Sequence, residues 1–278
     1  MSLSLDRPLL LVGAGKMGSA LLSGWLADGL SPGSVMVRDP SPSPDMKMLV
    51  AEAGIAINFP IEQIAARNPS VVVVAVKPQM MASVLPELKP LAGPDTLFLS
   101  IAAGTTLDVF SGLLGPDARI VRSMPNTPAS VGRGITVACA GPRVSDAQKA
   151  LAEQLLGAVG EVGWVEDEAL IDAVTAISGS GPAYVFYLVE CLAAGGEALG
   201  LAPALAMQLA RATVSGAGEM LHRSGEPAAT LRKNVTSPGG TTAAALEVLM
   251  GEEAMASLLL RAVTAARDRS RDLARPGA

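Results

Sequence analysis

The chain has 278 residues, of which 50% are hydrophobic and 17% charged, and its formal net charge is −5. This length favours two domains over one or three. Because no basic excess exists, nucleic acid and anionic membranes are not expected partners, and a small soluble molecule is the expected ligand. Aromatic residues make up only 3%. The core must therefore consist of small aliphatic side chains, and a second copy of the chain is expected to cover part of this apolar surface.

The two cysteines, Cys139 and Cys191, are far apart in apolar stretches. Neither a metal site nor a disulfide framework is predicted, and a reduced compartment, the cytoplasm, fits this composition. The longest uncharged run, Ala173 to Val189, is interrupted by Gly-Ser-Gly-Pro, which is too broken to span a bilayer. The N-terminus has no basic segment. We therefore expect neither a targeting peptide nor a membrane span.

Strand-like and helix-like segments alternate over residues 1–165. The first unit, Leu9 to Gly29, is an apolar strand, a glycine turn and a helix with apolar side chains at helical spacing. Further strands are predicted at 35–39, 71–76, 96–101, 118–124 and 134–139. Several of these runs are apolar on both faces, which is typical of a parallel sheet covered by helices on both sides. The prediction is an α/β, doubly wound domain of the Rossmann type.

Residues 166–278 follow a different pattern, with no strand-like run. Segments of helical length and spacing lie at 168–177, 182–199, 203–222 and 252–270. The second segment is apolar nearly all round, so we expect it to be buried on every side, and two-fold packing between subunits would bury it. The sequence therefore predicts an all-α second domain that dimerises.

The first glycine turn reads GAGKMG over residues 13–18 and matches the pattern GxGxxG. It follows a strand and opens a helix. In that setting Gly13 allows the tight turn, Gly15 lets the backbone approach a pyrophosphate, and Gly18 lets the helix pack on the strand. A purely structural glycine turn is the alternative. We interpret the turn as a dinucleotide-binding site.

The second strand ends in Val-Arg-Asp, where folds that bind NAD place an acidic residue on the ribose 2′-hydroxyl. The guanidinium of Arg38 favours the 2′-phosphate of NADPH. Asp39 offers the alternative, since it could accept the hydroxyl of NADH with Arg38 as a solvated surface charge. We predict NADPH, with NADH accepted.

The buried strand that follows ends in Val-Lys-Pro, at the sheet edge where open α/β sheets bind ligands. Lys77 either touches cofactor there or lies in water, and the residues alone leave both interpretations open. The single histidine, His222, is expected near a helix C-terminus. No catalytic acid or base stands out. Hydride addition to an iminium carbon needs little acid–base help, so it fits this inventory better than reduction of a ketone.

A second glycine-rich turn reads VTSPGGTT over residues 235–242. It predicts a helix that begins at Ala243, with Thr241 or Thr242 as its cap. An ordinary helix start is the structural interpretation. The consecutive N–H groups of such a turn also make a cradle for an anion such as a carboxylate.

The chain resembles the pyrroline-5-carboxylate reductases over essentially its whole length. The motifs that carry the resemblance are GAGKMGSAL, AVKPQ, RSMPNTPASVGRG, LIDAVTAISGSGPAYVFYLVE and VTSPGGTTAAAL, in that order. The resemblance implies reduction of L-1-pyrroline-5-carboxylate to L-proline, the last step of proline biosynthesis, with NADPH or NADH. It also implies a homodimer interlocked through the helical domain, which in some members assembles further into decamers.

The resemblance also implies the site residues, motif by motif. Cofactor contacts would come from Gly13, Ala14, Gly15, Lys16, Met17, Gly18, Arg38, Val76, Lys77 and Ala103, with Asn234 at the nicotinamide end. Substrate contacts would come from Glu168, Ser237, Gly240, Thr241 and Thr242. Thr242 matches the hydroxyl that hydrogen-bonds the ring nitrogen, and no metal is implied.

Two other functions compete with this one. A reductase of the 3-hydroxyacid or 6-phosphogluconate kind would carry a catalytic lysine in its helical domain, and Lys233 lies outside such a motif. A non-catalytic dinucleotide sensor would need no complete substrate loop, so the intact SPGGTT run counts against it.

Overall fold

The computed structural model describes residues 3–274, and within them seven strands form a single sheet. The strands are β1 (Leu9–Val12), β2 (Val35–Arg38), β3 (Val71–Val74), β4 (Leu97–Ser100), β5 (Arg119–Met124), β6 (Gly134–Ala140) and β7 (Gly160–Val165). Their order across the sheet is β2-β1-β3-β4-β5-β6-β7. β2 lies on one side of β1, and β3 lies on the other side. The order in which the chain adds strands to the sheet therefore reverses between β1 and β3. This reversal is where doubly wound folds bind dinucleotides.

The helices between the strands are α1 (Lys16–Ala27), α2 (Pro44–Glu52), α3 (Ile61–Ala66), α4 (Met81–Leu88), α5 (Leu107–Leu114) and α6 (Asp146–Gly157). The helices that follow are α7 (Ile171–Val174), α8 (Gly181–Ala198), α9 (Pro203–Arg223), α10 (Ala228–Asn234), α11 (Thr241–Leu249) and α12 (Met255–Leu273). Short 3₁₀ turns lie at Pro32–Ser34, Pro78–Met80, Lys89–Leu91, Thr127–Val131 and Glu168–Leu170, and a π turn at Thr175–Gly179.

The described chain divides into two compact units. Ser180–Ala266 forms the helical unit, and the described residues up to Gly179 and from Arg267 onward form the sheet unit. The helix α12 contributes residues to both. In the sheet unit, Ser270 near the end of α12 donates its hydroxyl to Asp172 at 2.7 Å. The last turns of the described chain are thereby fixed to α7.

The sheet is covered on both faces, as the sequence predicts. β3 is four consecutive valines, all buried, because each face of the strand meets a hydrophobic cluster. One cluster contains Trp25 of α1 and Leu155 of α6. The other contains Leu85 of α4 and Phe110 of α5. The predicted α/β doubly wound class is confirmed.

The far edge of the sheet departs from the prediction in two ways. β5 and β6 pair in antiparallel fashion, because the short stretch that joins them holds a 3₁₀ turn and no crossover helix, and a parallel pair needs such a crossover. β7 was not predicted at all. Its run GEVGWV carries two glycines and is only partly buried, so it lacks the apolar signal that marks the central strands.

The surface of α8 in the helical unit is largely apolar and exposed. Phe186 and Tyr187 are 63% and 66% exposed, and Ala193 is the buried residue of the helix. Within the single chain, the neighbours of this helix cover only a narrow stripe, so the predicted burial on every side depends on the two-fold packing between subunits that the sequence also predicts. A second protein surface remains the way to remove these side chains from water.

By length and composition alone, one helical run of the described chain, Glu168–Ala198, could cross a membrane, and 11% of its apolar window is buried. The run contains the π turn at Thr175–Gly179. Within that turn the hydroxyl of Thr175 donates to the carbonyl of Ile171 at 2.8 Å and that of Ser178 to the carbonyl of Val174 at 3.0 Å. The run therefore changes from α-helical to π-helical hydrogen bonding, and so changes its pitch, before α8 begins.

Candidate active site

The glycine turn after β1 has the geometry that a dinucleotide requires. Gly13 has φ +85°, and a Cβ there would lie 2.8 Å from the carbonyl oxygen of Ala75. A Cβ on Gly18 would lie 2.6 Å from the carbonyl oxygen of Gly13, so helix and turn are in direct contact. A Cβ on Gly15 would have no neighbour within 4 Å. Gly15 therefore borders open space at the start of α1, and that space fits a pyrophosphate.

The start of α1 is built to present backbone N–H groups. Its first residue is Lys16 and its N-cap is Gly15, which provides no side-chain cap. The first turn of such a helix has N–H groups without intrahelical partners, and its dipole favours negative charge. Lys16 is exposed and Met17 half-buried at this end. The residues present thus fit the phosphates of a dinucleotide.

At the end of β2, Asp39 is tied to the glycine turn. Its Oδ2 accepts the N–H of Ala14 at 2.6 Å and its Oδ1 accepts the N–H of Ser41 at 2.8 Å. Asn58 brackets the backbone of Asp39, accepting its N–H at 2.9 Å and donating to its carbonyl oxygen at 2.8 Å. The neighbouring Arg38 forms an ion pair with Glu87 of α4. Both residues that the sequence offered for the ribose therefore already have protein partners.

The remaining predicted cofactor residues lie at the same edge of the sheet. Val76 and Lys77 follow β3, with Val76 half-buried and Lys77 exposed, and exposed Ala103 follows β4. Because β1, β3 and β4 run parallel in neighbouring positions, their carboxyl ends share one edge. The structure therefore brings together every predicted cofactor residue of the sheet unit.

Glu168 lies in the sheet unit, within a polar cluster of its own. Its Oε1 accepts from the Arg122 guanidinium at 2.6 Å and from the Leu107 N–H, at the start of α5, at 2.9 Å. Arg122 is 4% exposed and its Nε has no hydrogen-bond partner among the described residues. The Glu168 carboxylate thus neutralises the buried Arg122 cation, a structural role that was not predicted from the sequence.

Cys139 lies opposite Arg122 on the neighbouring strand. Its thiol is buried and lies 3.7 Å from the carbonyl oxygen of Glu166. Burial raises the pKa of this thiol above its usual value, and the negative charge of Glu168 raises it further. The thiol is therefore held in its neutral form and is not suited to act as a nucleophile.

The second glycine-rich turn lies in the helical unit, between α10 and α11. Gly239 has φ +72°, and the N–H of Gly240 donates to the carbonyl oxygen of Ser237 at 3.1 Å. The helix α11 begins at Thr241, with Gly240 as N-cap and no side-chain cap. The expected threonine cap and the expected start at Ala243 are wrong, because both threonines lie inside the first turn. Their N–H groups are thereby freed from a side-chain cap, as an anion cradle needs.

In this turn Ser237 and Thr241 are exposed, while Gly240 and Thr242 are half-buried. Asn234, the last residue of α10, donates its side-chain amide to Glu226 at 3.4 Å within the same unit. His222 lies in the last turn of α9, as the sequence predicts. Among residues 3–274, no group of three or more His, Cys, Asp or Glu side chains is arranged to hold a metal ion.

Comparison with known proteins separates the candidate families. A family model described as pyrroline-5-carboxylate reductase dimerisation matches residues 168–273. A model described as NADP oxidoreductase, coenzyme F420-dependent, matches residues 9–104. The pyrroline-5-carboxylate reductase of Pseudomonas aeruginosa is 40% identical over 263 residues, which cover 95% of each chain. This chain belongs to the pyrroline-5-carboxylate reductase family.

Solved structures of pyrroline-5-carboxylate reductases share the fold of the chain. That of the Coxiella burnetii protein has a TM-score of 0.91 and 37% identity, and covers 98% of this chain and 100% of its own. That of the Plasmodium falciparum protein, solved with NADP bound, has a TM-score of 0.80 and 31% identity, and covers 97% and 99%. The resemblance read from the motifs is confirmed.

Two polar residues of this pyrroline-5-carboxylate reductase, Arg122 and Asn58, were not predicted from the sequence. Arg122 carried a signal, since its charge follows the apolar Ile120 and Val121 inside a predicted strand, and a buried cation needs a partner. Asn58 carried none that is specific. It adopts φ +59°, which asparagine tolerates in many turns, and only the fold brings it to Asp39.

Proposed function

We propose that this chain is an NAD(P)H-dependent oxidoreductase that reduces L-1-pyrroline-5-carboxylate to L-proline, the final step of proline biosynthesis. The observation that carries the proposal is the turn before α11. There a glycine with φ +72° and an uncapped helix start present backbone N–H groups beside two threonine hydroxyls. Such an arrangement suits a small carboxylate and needs no acid or base nearby. The chain matches the pyrroline-5-carboxylate reductases of Pseudomonas aeruginosa and Coxiella burnetii over 95% and 100% of their length.

In the sheet unit, the glycine turn and the sheet edge would hold the dinucleotide, which when bound supplies the hydride that reduces the C=N bond. NADPH is the proposed cofactor and NADH the alternative. The start of α1 would bind the pyrophosphate, and Lys77 and Ala103 would lie along the cofactor at the ends of β3 and β4. The proposed contacts are Gly13, Ala14, Gly15, Lys16, Met17, Gly18, Arg38, Val76, Lys77 and Ala103, with Asn234 from the helical unit.

In the helical unit, the start of α11 would hold the substrate carboxylate through the backbone N–H of Thr241. Ser237 and Gly240 would line the same place, with the Gly240 N–H already bonded to the Ser237 carbonyl oxygen. The hydroxyl of Thr242 would hydrogen-bond the ring nitrogen and fix the orientation of the imine carbon. Binding and orientation would then supply most of the acceleration. Glu168 is included as a substrate contact because it matches the family motif. Its two protein donors, Leu107 and Arg122, both bond to Oε1, so Oε2 is the oxygen proposed to contact the substrate.

We also propose that two copies of the chain form a homodimer through the helical unit. The support is the exposed apolar surface of α8, which lies inside the region matched by the dimerisation model. The family resemblance extends this proposal to the assembly of dimers into a decamer. We also propose a dinucleotide-binding domain over residues 1–165 and a dimerisation and substrate-binding domain over residues 166–278. The proposed location is the cytoplasm. Neither nucleic acid nor membrane is a proposed partner.

The proposed activity is tested with purified protein, NADPH and L-1-pyrroline-5-carboxylate. We expect absorbance of the reduced cofactor to fall and L-proline to appear in equal amount. A 3-hydroxyacid and 6-phosphogluconate, each offered with NADP⁺, serve as the competing substrates. Consumption of either, or no consumption of pyrroline-5-carboxylate above background, would contradict the assignment.

A further inference from the structure

The charges around the end of β2 are unevenly balanced. The guanidinium of Arg38 is paired with the carboxylate of Glu87 on α4, and the two side chains are 28% and 57% exposed. The next residue, Asp39, holds a second carboxylate against the N–H of Ala14. The Arg38 cation is therefore already paired with one carboxylate, and a second carboxylate follows it in the chain, where the adenosine end of a dinucleotide binds a Rossmann domain.

The two cofactors differ at this place by one group. NADPH carries a phosphate on the 2′-oxygen of the ribose, and NADH carries a hydroxyl. A phosphate binds best to a guanidinium whose N–H groups and charge are available. Because the Glu87 carboxylate occupies the same guanidinium, the phosphate must compete with it. A ribose hydroxyl needs no cation and can donate to Asp39, because each carboxylate oxygen there accepts one N–H and has a second lone pair. NADH therefore does not meet this competition.

We propose that Glu87 is a specificity-determining residue that lowers the preference of this protein for NADPH over NADH by competing with the 2′-phosphate for Arg38. The proposal rests on the cofactor role proposed for Arg38. Glu87 lies in α4, outside the glycine turn and outside the motifs of the family resemblance. It acts on the cofactor through Arg38 and is not a catalytic residue.

The experiment measures nucleotide binding without any pyrroline substrate. Glu87→Gln keeps the shape of the side chain and removes its charge. Titration calorimetry should show NADP⁺ binding to this variant about two- to fivefold more tightly than to the wild type, as expected for one exposed ion pair. The dissociation constant of NAD⁺ should change by less than about twofold. The gain should shrink in high salt, because exposed charges are screened.

Two further variants assign the effect to the ion pair. Glu153→Gln removes the same charge from an exposed site on α6, which packs on the opposite face of the sheet from α4, and should leave both constants unchanged. In an Arg38→Gln background, Glu87→Gln should have no further effect on NADP⁺. Unchanged or weaker NADP⁺ binding in Glu87→Gln, or an equal gain without Arg38, would overturn the proposal.

The measurement also separates this proposal from the proposed reaction. If NADP⁺ binding responds as described while pyrroline-5-carboxylate is not reduced, the reaction is wrong and the role of Glu87 stands. If the wild type binds neither NADP⁺ nor NAD⁺, the cofactor site is wrong and the role of Glu87 is overturned with it.

Discussion

The hydroxyl of Thr242 is the side-chain group on which the proposed chemistry depends most. Thr242 lies in the first turn of α11, half-buried, and is not used as a helix cap. A cap would have turned the oxygen toward the backbone of its own helix. Because Gly240 takes the N-cap position instead, the hydroxyl has no capping duty and remains available to a ligand.

Thr242→Ala should lower kcat with pyrroline-5-carboxylate by about tenfold or more, because a hydrogen bond to a charged group contributes about 1.5–3 kcal/mol. NADPH binding, measured by fluorescence titration, should change little. Thr242→Ser keeps the hydroxyl and should restore most of the turnover. Thr230→Ala, a half-buried threonine of α10 in the same unit, is the matched control. Kinetics of Thr242→Ala equal to those of the wild type would exclude this role.

At the scale of single residues, the sequence predicts positions better than partners. Gly13 and Gly18 were assigned their roles from spacing alone, and their backbone angle and close contact agree with those roles. Arg38 was placed correctly at the end of β2, but its pairing with Glu87 joins residues 49 positions apart. Such a partner depends on which helix lies beside which strand, and local spacing carries no information about it.

At the scale of elements, the two helix starts α1 and α11 follow the same design. Each begins after a glycine N-cap with no side-chain cap. A capped helix start is more stable, since a capping side chain is typically worth about 1 kcal/mol. Both starts forgo this contribution, and both leave oriented N–H groups for a ligand. The pair of glycine turns is therefore the shared element-level feature of the cofactor and substrate proposals.

Two alanine substitutions in the first turn separate packing from binding. Gly18→Ala places a Cβ against the carbonyl oxygen of Gly13 and should lower the free energy of unfolding by about 1–3 kcal/mol, the usual cost of overpacking. Gly15→Ala meets no protein atom and should change stability by less than about 1 kcal/mol, but its methyl group fills the space proposed for the pyrophosphate.

Urea denaturation and NADP⁺ titration together test this pair. We expect Gly15→Ala to bind NADP⁺ at least about tenfold more weakly while it unfolds like the wild type. We expect Gly18→Ala to lose stability and affinity together. Full NADP⁺ affinity in Gly15→Ala would show that the phosphates lie elsewhere.

The elements with strong periodicity were predictable, and those set by context were not. Every central strand was placed within a few residues, because a run such as the four valines of β3 has one stable environment, the middle of a covered sheet. The edge strand β7 and the short helix α10 lack that pattern. The π turn at Thr175–Gly179 was also missed, since its extra residue per turn is a local accommodation that neither helical nor strand periodicity signals.

At the scale of the whole molecule, the helical unit accounts for part of the high hydrophobic content of the chain. Half of the residues are hydrophobic and few are aromatic, and the apolar excess appears on α8 as exposed side chains. A single chain leaves that surface in water, which soluble monomers rarely do over a contiguous patch. The homodimer proposed above removes it.

Phe186→Asp should convert the protein from a dimer to a monomer in sedimentation velocity, because a charge would enter an apolar interface without a partner. Phe186 is 63% exposed in the single chain, so the variant should keep its helical circular dichroism. Met48→Asp, at a residue of α2 that is 59% exposed, is the control and should stay dimeric. A dimeric Phe186→Asp would place the interface on another surface.

The path of α12 has a consequence for how this chain is synthesised. The chain leaves the sheet unit after Gly179 and returns to it at Arg267. There Ser270 hydrogen-bonds to Asp172. On the ribosome, all seven strands and the whole helical unit emerge before Ser270 does. Folding of the sheet unit can therefore be completed only after the whole helical unit has been synthesised, and nascent chains that stop short of residue 267 lack the last part of the sheet unit.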